Sequence, residues 1–167
     1  MNKLETKRLF IIPFTLKYAK AALNGNEKLE NVSGYRVENE WPSPDYKEIL
    51  PFIVQQVTEK PELRRWNRLI VHKEEQMIIG EIGCKGEPDG HGIVEIGYGI
   101  VPAYQGYGYA TEAVQAFVQW LLSLPEITKV TAECLEDNAA SIRVLEKAGF
   151  KRTSHKQSII YWEYGST

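Results

Sequence analysis

Cysteine is scarce in this chain, long apolar runs are absent, and neither sign of charge dominates. The 167 residues hold two cysteines, Cys84 and Cys134, far apart and without the paired spacing of a metal site. A disulfide framework or structural zinc is therefore not expected, no metal is assigned, and both thiols are read as reduced and buried. No apolar run approaches the ~20 residues that cross a bilayer. The opening Met1-Asn2-Lys3-Leu4-Glu5-Thr6-Lys7 has no apolar segment behind its charges, so no secretory leader is expected and the cytoplasm is the expected compartment. With 20 basic against 22 acidic side chains the net charge is −2, which lacks the basic excess of a protein that tracks phosphates along nucleic acid. What is present is a globular composition: 43% hydrophobic residues with Trp 4, Tyr 9 and Phe 5, too many for a disordered chain. The length suits one domain, residues 1–167, with no nucleic-acid or membrane partner.

Local patterns order the chain. Leu9 to Phe14 reads as a strand, and Leu16 to Leu23 as a helix ended by the turn residues Asn24-Gly25-Asn26. Glu30 to Pro44 has no period and reads as an irregular connection. Asp45 is placed to cap a second helix through about Val57, with Pro51 early in it or kinking it. Trp66–His72, Met77–Lys85 and Ile93–Val101 read as a three-stranded meander. Ala110, Ala113, Val114, Phe117, Val118 and Leu121 recur at helical spacing. Val130–Leu135 is a buried strand, and Asn138 opens a short helix that Gly149 ends. Lys151–His155 and Ser158–Tyr164 close the chain as strands. The sum is an α/β (α+β) domain with a mixed sheet of about seven strands and about four helices, its parallel part in the C-terminal half.

The informative stretch runs from Gly97 to Thr111: a strand, a glycine-rich loop and the start of an amphipathic helix. Gly106 and Gly108 let the backbone turn tightly, and the first-turn amides of the helix converge on one point at the positive end of its dipole. Such a nest suits a phosphate or pyrophosphate. A Walker loop is excluded because no Gly-Lys-Ser/Thr is present. The dinucleotide fingerprint fails because Thr111 stands where its third glycine belongs. A glycine-rich turn without any ligand is the remaining alternative.

A second segment, Asp137-Asn138-Ala139-Ala140-Ser141-Ile142-Arg143-Val144-Leu145-Glu146-Lys147-Ala148-Gly149-Phe150, follows the next strand. Together with Gln105-Gly106-Tyr107-Gly108-Tyr109-Ala110 it resembles the GNAT family of acetyl-CoA-dependent N-acetyltransferases. Thr6-Lys7-Arg8-Leu9 is similar to the opening of the family's ribosomal-protein-alanine (Rim-type) branch, and the resemblance covers essentially the whole chain. It implies a splayed pair of parallel strands into which pantetheine inserts. Ile100 and Val101 would then pair with pantetheine through their main chains. Gln105, Gly106, Tyr107, Gly108, Tyr109, Ala110 and Thr111 would hold the pyrophosphate, and Asn138 the pantetheine arm, with the thioester among Glu95, Gly97 and Ser141. Acetyl-CoA is the implied co-substrate and the partner is an amine acceptor, either a peptide N-terminus or a small molecule. Direct transfer in a ternary complex is implied, by a monomer or homodimer. A non-catalytic acyl-CoA-binding or sensor module on the same fold is the alternative.

Acyl transfer to an amine needs a neutral nucleophile and a protonated leaving thiolate. Much of the family has a tyrosine four residues before the Gly-Phe pair as the acid; here that position is Leu145. Ser141, in the first turn of the same helix, is the substitute, unless it only helps Asn138 cap that helix. Glu95 is the candidate base, since strand alternation puts it on one face with Gly97 and Gly99, where no side chain blocks access. A plain surface carboxylate is the alternative there, and Glu133 and His91 are weaker candidates. At pH near 7.4 freeing a lysine ε-amine costs about 4 kcal/mol and an α-amine about 0.7 kcal/mol, which favours an α-amino acceptor. Tyr35, Trp41 and Trp66, with Glu38 and Glu40, are candidates for acceptor recognition, with core packing and solvation as the plain alternatives. Cys134 reads as an inert packed thiol.

Overall fold

The computed structural model describes residues 2–165. Strands β1 (Leu4–Glu5) and β2 (Leu9–Pro13) lead to helices α1 (Leu16–Leu23) and α2 (Asn26–Ser33), then to β3 (Arg36–Val37) and α3 (Pro44–Glu59). A 3-10 segment, Pro61–Trp66, enters the meander β4 (Asn67–His72), β5 (Met77–Cys84) and β6 (Ile93–Ile100). A second 3-10 turn, Pro102–Tyr104, precedes α4 (Tyr109–Leu122), and β7 (Lys129–Leu135), α5 (Ala139–Ala148), β8 (Phe150–Lys156) and β9 (Ile159–Tyr164) follow. The strands form one mixed sheet in the order β1-β2-β4-β5-β6-β7-β9-β8, with the two-residue β3 lying beside β5. β6 and β7 pair in parallel, as does the short β3 with β5, and the remaining pairs are antiparallel.

The sheet is larger than the seven strands expected, because β1 and β3 are too short to leave a period-2 signature. The region read as irregular from Glu30 contains the end of α2. That helix buries a single residue, Leu29, so it has no apolar stripe to reveal it. It is closed by Gly34 in the left-handed region, and the Glu30 carboxylate accepts the Val37 amide at 2.8 Å, tying helix to strand. The cap of α3 is Ser43, whose hydroxyl accepts the Tyr46 amide, and not Asp45, which sits in the first turn. The helix also runs on through Pro51 to Glu59.

The core lies on both faces of the sheet. Ala113, Val114, Phe117, Val118 and Leu121 of α4 are fully buried at the predicted spacing, while Leu50, Ile53 and Val57 of α3 cover the other side. Tyr98 and Gly99 are consecutive on β6 and therefore point to opposite faces. Ser141 of α5 meets Tyr98, and the segment carrying Trp41 and Tyr46 meets the face of Glu81 and Gly99. Among the described residues no helix is long and apolar enough to cross a membrane.

Candidate active site

β6 and β7 part company halfway along. Their parallel register holds for three pairs, Ile93 with Lys129, Val94 with Val130 and Glu95 with Thr131, and then stops. Both strands continue, to Ile100 and Leu135, with no pairing between them. A wedge opens in the middle of the sheet, with unpaired main chain along its edge. Alternation decides which residues face it. Glu95 O accepts from Lys85 on the β5 side, so odd residues of β6 face β5 and Tyr98 and Ile100 face the wedge. This corrects one expectation. Val101 donates its amide to Ile79 O at 2.9 Å and its carbonyl accepts the Tyr104 amide, so it has no free main-chain group for a ligand.

The loop beyond β6 folds as its glycines require. Gly106 and Gly108 have φ of 86° and 85°, in the region where a β-carbon is strained, and Gly108 is the cap residue of α4. The amides of Tyr109, Ala110 and Thr111 belong to the first turn and have no partner within the helix. Gln105 donates to Ile100 O at 2.7 Å, so its side chain braces the loop against the strand end. Tyr109 buries its ring against His72 and Tyr104, with its hydroxyl 2.9 Å from His72 Nε2, while Tyr107 stands exposed.

A clamp holds this loop from the far end of the chain. Glu112, in the first turn of α4, accepts from Thr6 Oγ1, from the Arg8 amide at 2.8 Å and from Arg8 Nε at 2.8 Å. The Arg8 guanidinium also donates to Tyr107 O at 2.9 Å and lies 4.3 Å from the centre of the Tyr109 ring. Burial pushes the Glu112 carboxyl up, but the hydrogen bonds from Thr6 and Arg8 and the Arg8 charge outweigh it and hold the group below its ordinary value. Thr6 and Arg8 belong to the opening motif, whose physical role was not visible in sequence because its partner is about a hundred residues away.

On the α5 side of the wedge, Asn138 is the helix cap: its Oδ1 accepts the Ser141 amide at 3.1 Å. Ser141 is thus capped rather than capping, and its hydroxyl lies 3.4 Å from the Tyr98 hydroxyl. Burial pushes Tyr98 up to about 12, with the Ser141 bond pulling the other way. Tyr98 was not singled out from sequence; its position in the Gly97-Tyr98-Gly99 alternation was the available signal. Leu145, where the usual acid tyrosine would stand, is fully buried. Cys84 is buried and pushed up to about 12. Cys134 is only half-buried, contrary to the expectation of a fully packed thiol.

On the opposite face, Glu95 lies where the wedge begins, and Lys85 Nζ approaches its Oε2 to 3.1 Å at an angle that makes an ion pair without a hydrogen bond. The Lys85 chain also covers Gly97: a β-carbon there would lie 3.0 Å from Lys85 Cε. The open face expected around Glu95 and Gly97 is therefore closed by a lysine. The other carboxyl on this face is Glu81 of β5, buried within an apolar strand and without an ion-pair partner among the described residues. It pairs in register with Gly99, and Trp41 donates to its Oε1 at 2.9 Å. Glu133 and His91 are exposed.

The aromatic candidates separate. Trp41 is 2% exposed and Trp66 6% exposed, with Trp66 packed on Trp120, so both are core. Tyr35 instead lines a shallow cavity of about 550 Å³ with Lys3, Tyr18 and Gln76, beside α1. Glu38 caps its own loop by accepting the Glu40 amide.

The chain as a whole is similar to known proteins. The family profile described as "Acetyltransferase (GNAT) domain" matches residues 8–151. The uncharacterized N-acetyltransferase YjdG of Bacillus subtilis is 30% identical over 165 residues, covering 98% of each chain. Ribosomal-protein-S5-alanine acetyltransferase from Vibrio fischeri superposes with a TM-score of 0.72 at 17% identity, covering 98% of this chain and 96% of that one. A ribosomal L7/L12 alpha-N-protein acetyltransferase solved with coenzyme A gives 0.70 at 16% identity, covering 97% of each.

Proposed function

From the premise that this chain belongs to the GNAT acetyltransferase family and is an N-acetyltransferase, we propose that it uses acetyl-CoA to acetylate a primary amine, either the α-amine of a peptide N-terminus or a small-molecule amine, by direct transfer in a ternary complex in the cytoplasm. One observation carries the reading: the wedge between β6 and β7 leads directly to the unpartnered amides of Tyr109, Ala110 and Thr111. The residues fit the co-substrate. Gly106 and Gly108 present backbone without side chains, nothing lies within 4 Å of where a Gly106 β-carbon would be, and the wedge offers the Tyr98 and Ile100 main chains to an extended amide-bearing arm.

When bound, acetyl-CoA supplies the activated acetyl thioester, and the chain's own groups do the rest. The α4 amides hold the pyrophosphate in the field of the helix N-terminus. The Ile100 main-chain amide, with the free side-chain amide nitrogen of Asn138, orients the pantetheine. Ser141 Oγ, at the N-terminus of α5 and backed by the Tyr98 hydroxyl, delivers a proton to the departing sulfur. Cys134 is half-buried near Tyr98, and direct transfer to the amine requires no acyl-enzyme on it.

The test is acetyl-CoA turnover against a panel of N-terminal peptides, amino acids, polyamines and aminoglycosides. Transfer to an α-amine or small amine with free coenzyme A as co-product is expected. Binding of acetyl-CoA without transfer to any of them would refute the acceptor assignment.

A further inference from the structure

Glu81 is the one carboxyl among the described buried residues of the sheet, and the acyl-CoA site described above makes no use of it. It sits on β5 in the middle of the sheet, 9% exposed, with apolar Leu69 opposite on β4. Trp41 Nε1 occupies one carboxyl oxygen, and no protein donor reaches the other among the described residues. An indole N–H would be satisfied by a neutral amide, so a buried carboxyl is more than structure demands. Gly99 makes room for the free oxygen: a β-carbon at position 99 would lie 2.6 Å from Glu81 Oε2. That oxygen therefore rests over the backbone of β6, at the edge of the wedge.

Its electrostatic setting is that of a group awaiting a cation. From α3, the Tyr46 hydroxyl faces it and is pushed up by burial and by the Glu81 charge. On the same face of β6 the next carboxylate is Glu95, and the cation Lys85 is already paired with it. No lysine, arginine or histidine pairs with Glu81 among the described residues. Burial raises the Glu81 carboxyl to about 7, with the Trp41 hydrogen bond pulling it down. Glu95, four residues from Gly99, is ~13 Å away along the strand at ~3.3 Å per residue. Glu81 is adjacent to Gly99.

We propose that Glu81 binds the ammonium of the acceptor and takes its proton, so that the acceptor is a cationic primary amine entering over Gly99, on the face beneath Trp41 and Tyr46. The proposal rests on the wedge being the thioester site. The ammonium gives one proton to Glu81 Oε2, which passes it to water. The freed nitrogen lone pair forms the N–C bond to the acetyl carbon, and the C–S bond breaks with its electrons on sulfur. The second nitrogen proton balances the thiol formed there, through the Ser141–Tyr98 side. Acceptor and leaving group thus use opposite faces of the sheet, as the alternation of Tyr98 and Gly99 dictates.

The test uses the full chain, Glu81→Gln, which keeps the volume and still accepts the indole bond, and Trp41→Phe, which removes the donor. Two readouts are followed: the pH profile of kcat/KM, and the Trp41 indole ¹⁵N–¹H resonance titrated from pH 5 to 9 without and with butylammonium. Expected for the wild type are an indole midpoint near 7, displaced by butylammonium, and a rate that rises through the same pH. Glu81→Gln should abolish both titrations, lower kcat/KM at least 100-fold and leave the acetyl-CoA Kd within threefold. Trp41→Phe should move the limb of the rate profile to higher pH. An unchanged profile in Glu81→Gln, or an indole resonance that does not titrate, overturns the role of Glu81. Failure of the wild type to bind acetyl-CoA overturns the reading of the wedge and this proposal with it.

Discussion

Glu112→Gln tests whether the amino-terminal clamp holds the glycine-rich loop before α4. Glu112 is 18% exposed in its side chain and Arg8 is 39% exposed, so the Arg8–Glu112 ion pair alone should contribute no more than about 1 kcal/mol. The larger part comes from the Arg8 backbone amide, fixed by the chain, and the Thr6 hydroxyl. Each is a hydrogen bond to a charged acceptor, worth about 1.5–3 kcal/mol. Both go to Oε2, so glutamine keeps them by placing its one carbonyl oxygen there, but each becomes a neutral bond worth about 1 kcal/mol less, and the NH2 is turned against Arg8 Nε. A net loss of about 2–3 kcal/mol corresponds to a fall in Tm of about 5–10 °C for a chain of this size. Because the same bonds fix the first turn of α4, acetyl-CoA Kd should rise about tenfold, the equivalent of about 1.4 kcal/mol. Thermal unfolding and calorimetric titration measure the two effects. A double-mutant cycle with Arg8→Ala should return a coupling of about 1–2 kcal/mol. A Tm within 1 °C of the wild type, with unchanged Kd, would refute the clamp.

Further outcomes follow from the same geometry. The folded-state carboxyl of Glu81 lies near 7 against an ordinary value of 4.5, so the folded chain holds a proton that the unfolded chain has released. That contribution favours folding below about 4.5 and is lost as pH rises through 7, a difference of about 3 kcal/mol; chemical denaturation at pH 5 and pH 8 should show it in the wild type and not in Glu81→Gln. Glu112 has the opposite sign: its depressed value stabilises the fold above about pH 4.5 and is lost on further acidification, so Glu112→Gln should flatten the acid limb of the denaturation curve. Gly99→Ala would put a β-carbon 2.6 Å from Glu81 Oε2 and should cost about 1–3 kcal/mol by chemical denaturation, with a larger loss of turnover than of acetyl-CoA affinity. Ser141→Ala and Tyr98→Phe should each lower kcat with little change in acetyl-CoA Kd; turnover unaffected across acceptors would remove the pair from the mechanism.

Much of the C-terminal half was legible in the residues. The stripe of α4, the cap Asn138, the left-handed Gly149 and the glycines of the loop are local features, set by spacing and φ preference over a few residues. The misreadings fall where local signal is weak. Leu29 alone cannot announce α2, and β1 and β3, two residues each, cannot show alternation. Val101 was assigned to the ligand because it lies at the right place in the motif. Which side its amide faces is decided by a hydrogen bond to Ile79 on another strand.

By itself, then, the sequence determined the family resemblance, the order of the larger elements and the turn of the glycine-rich loop, all of which arise from contiguous residues. Tertiary structure decided which carboxylate is free. Glu95, the sequence candidate, is met by Lys85 across an antiparallel register, and Glu81, hidden in an apolar strand, is set over Gly99 by the same register. It also turned Thr6 and Arg8 from an unexplained opening motif into the clamp on Glu112. Pairings between residues so far apart in the chain leave no local trace, because the forces that select them act only once the sheet has formed.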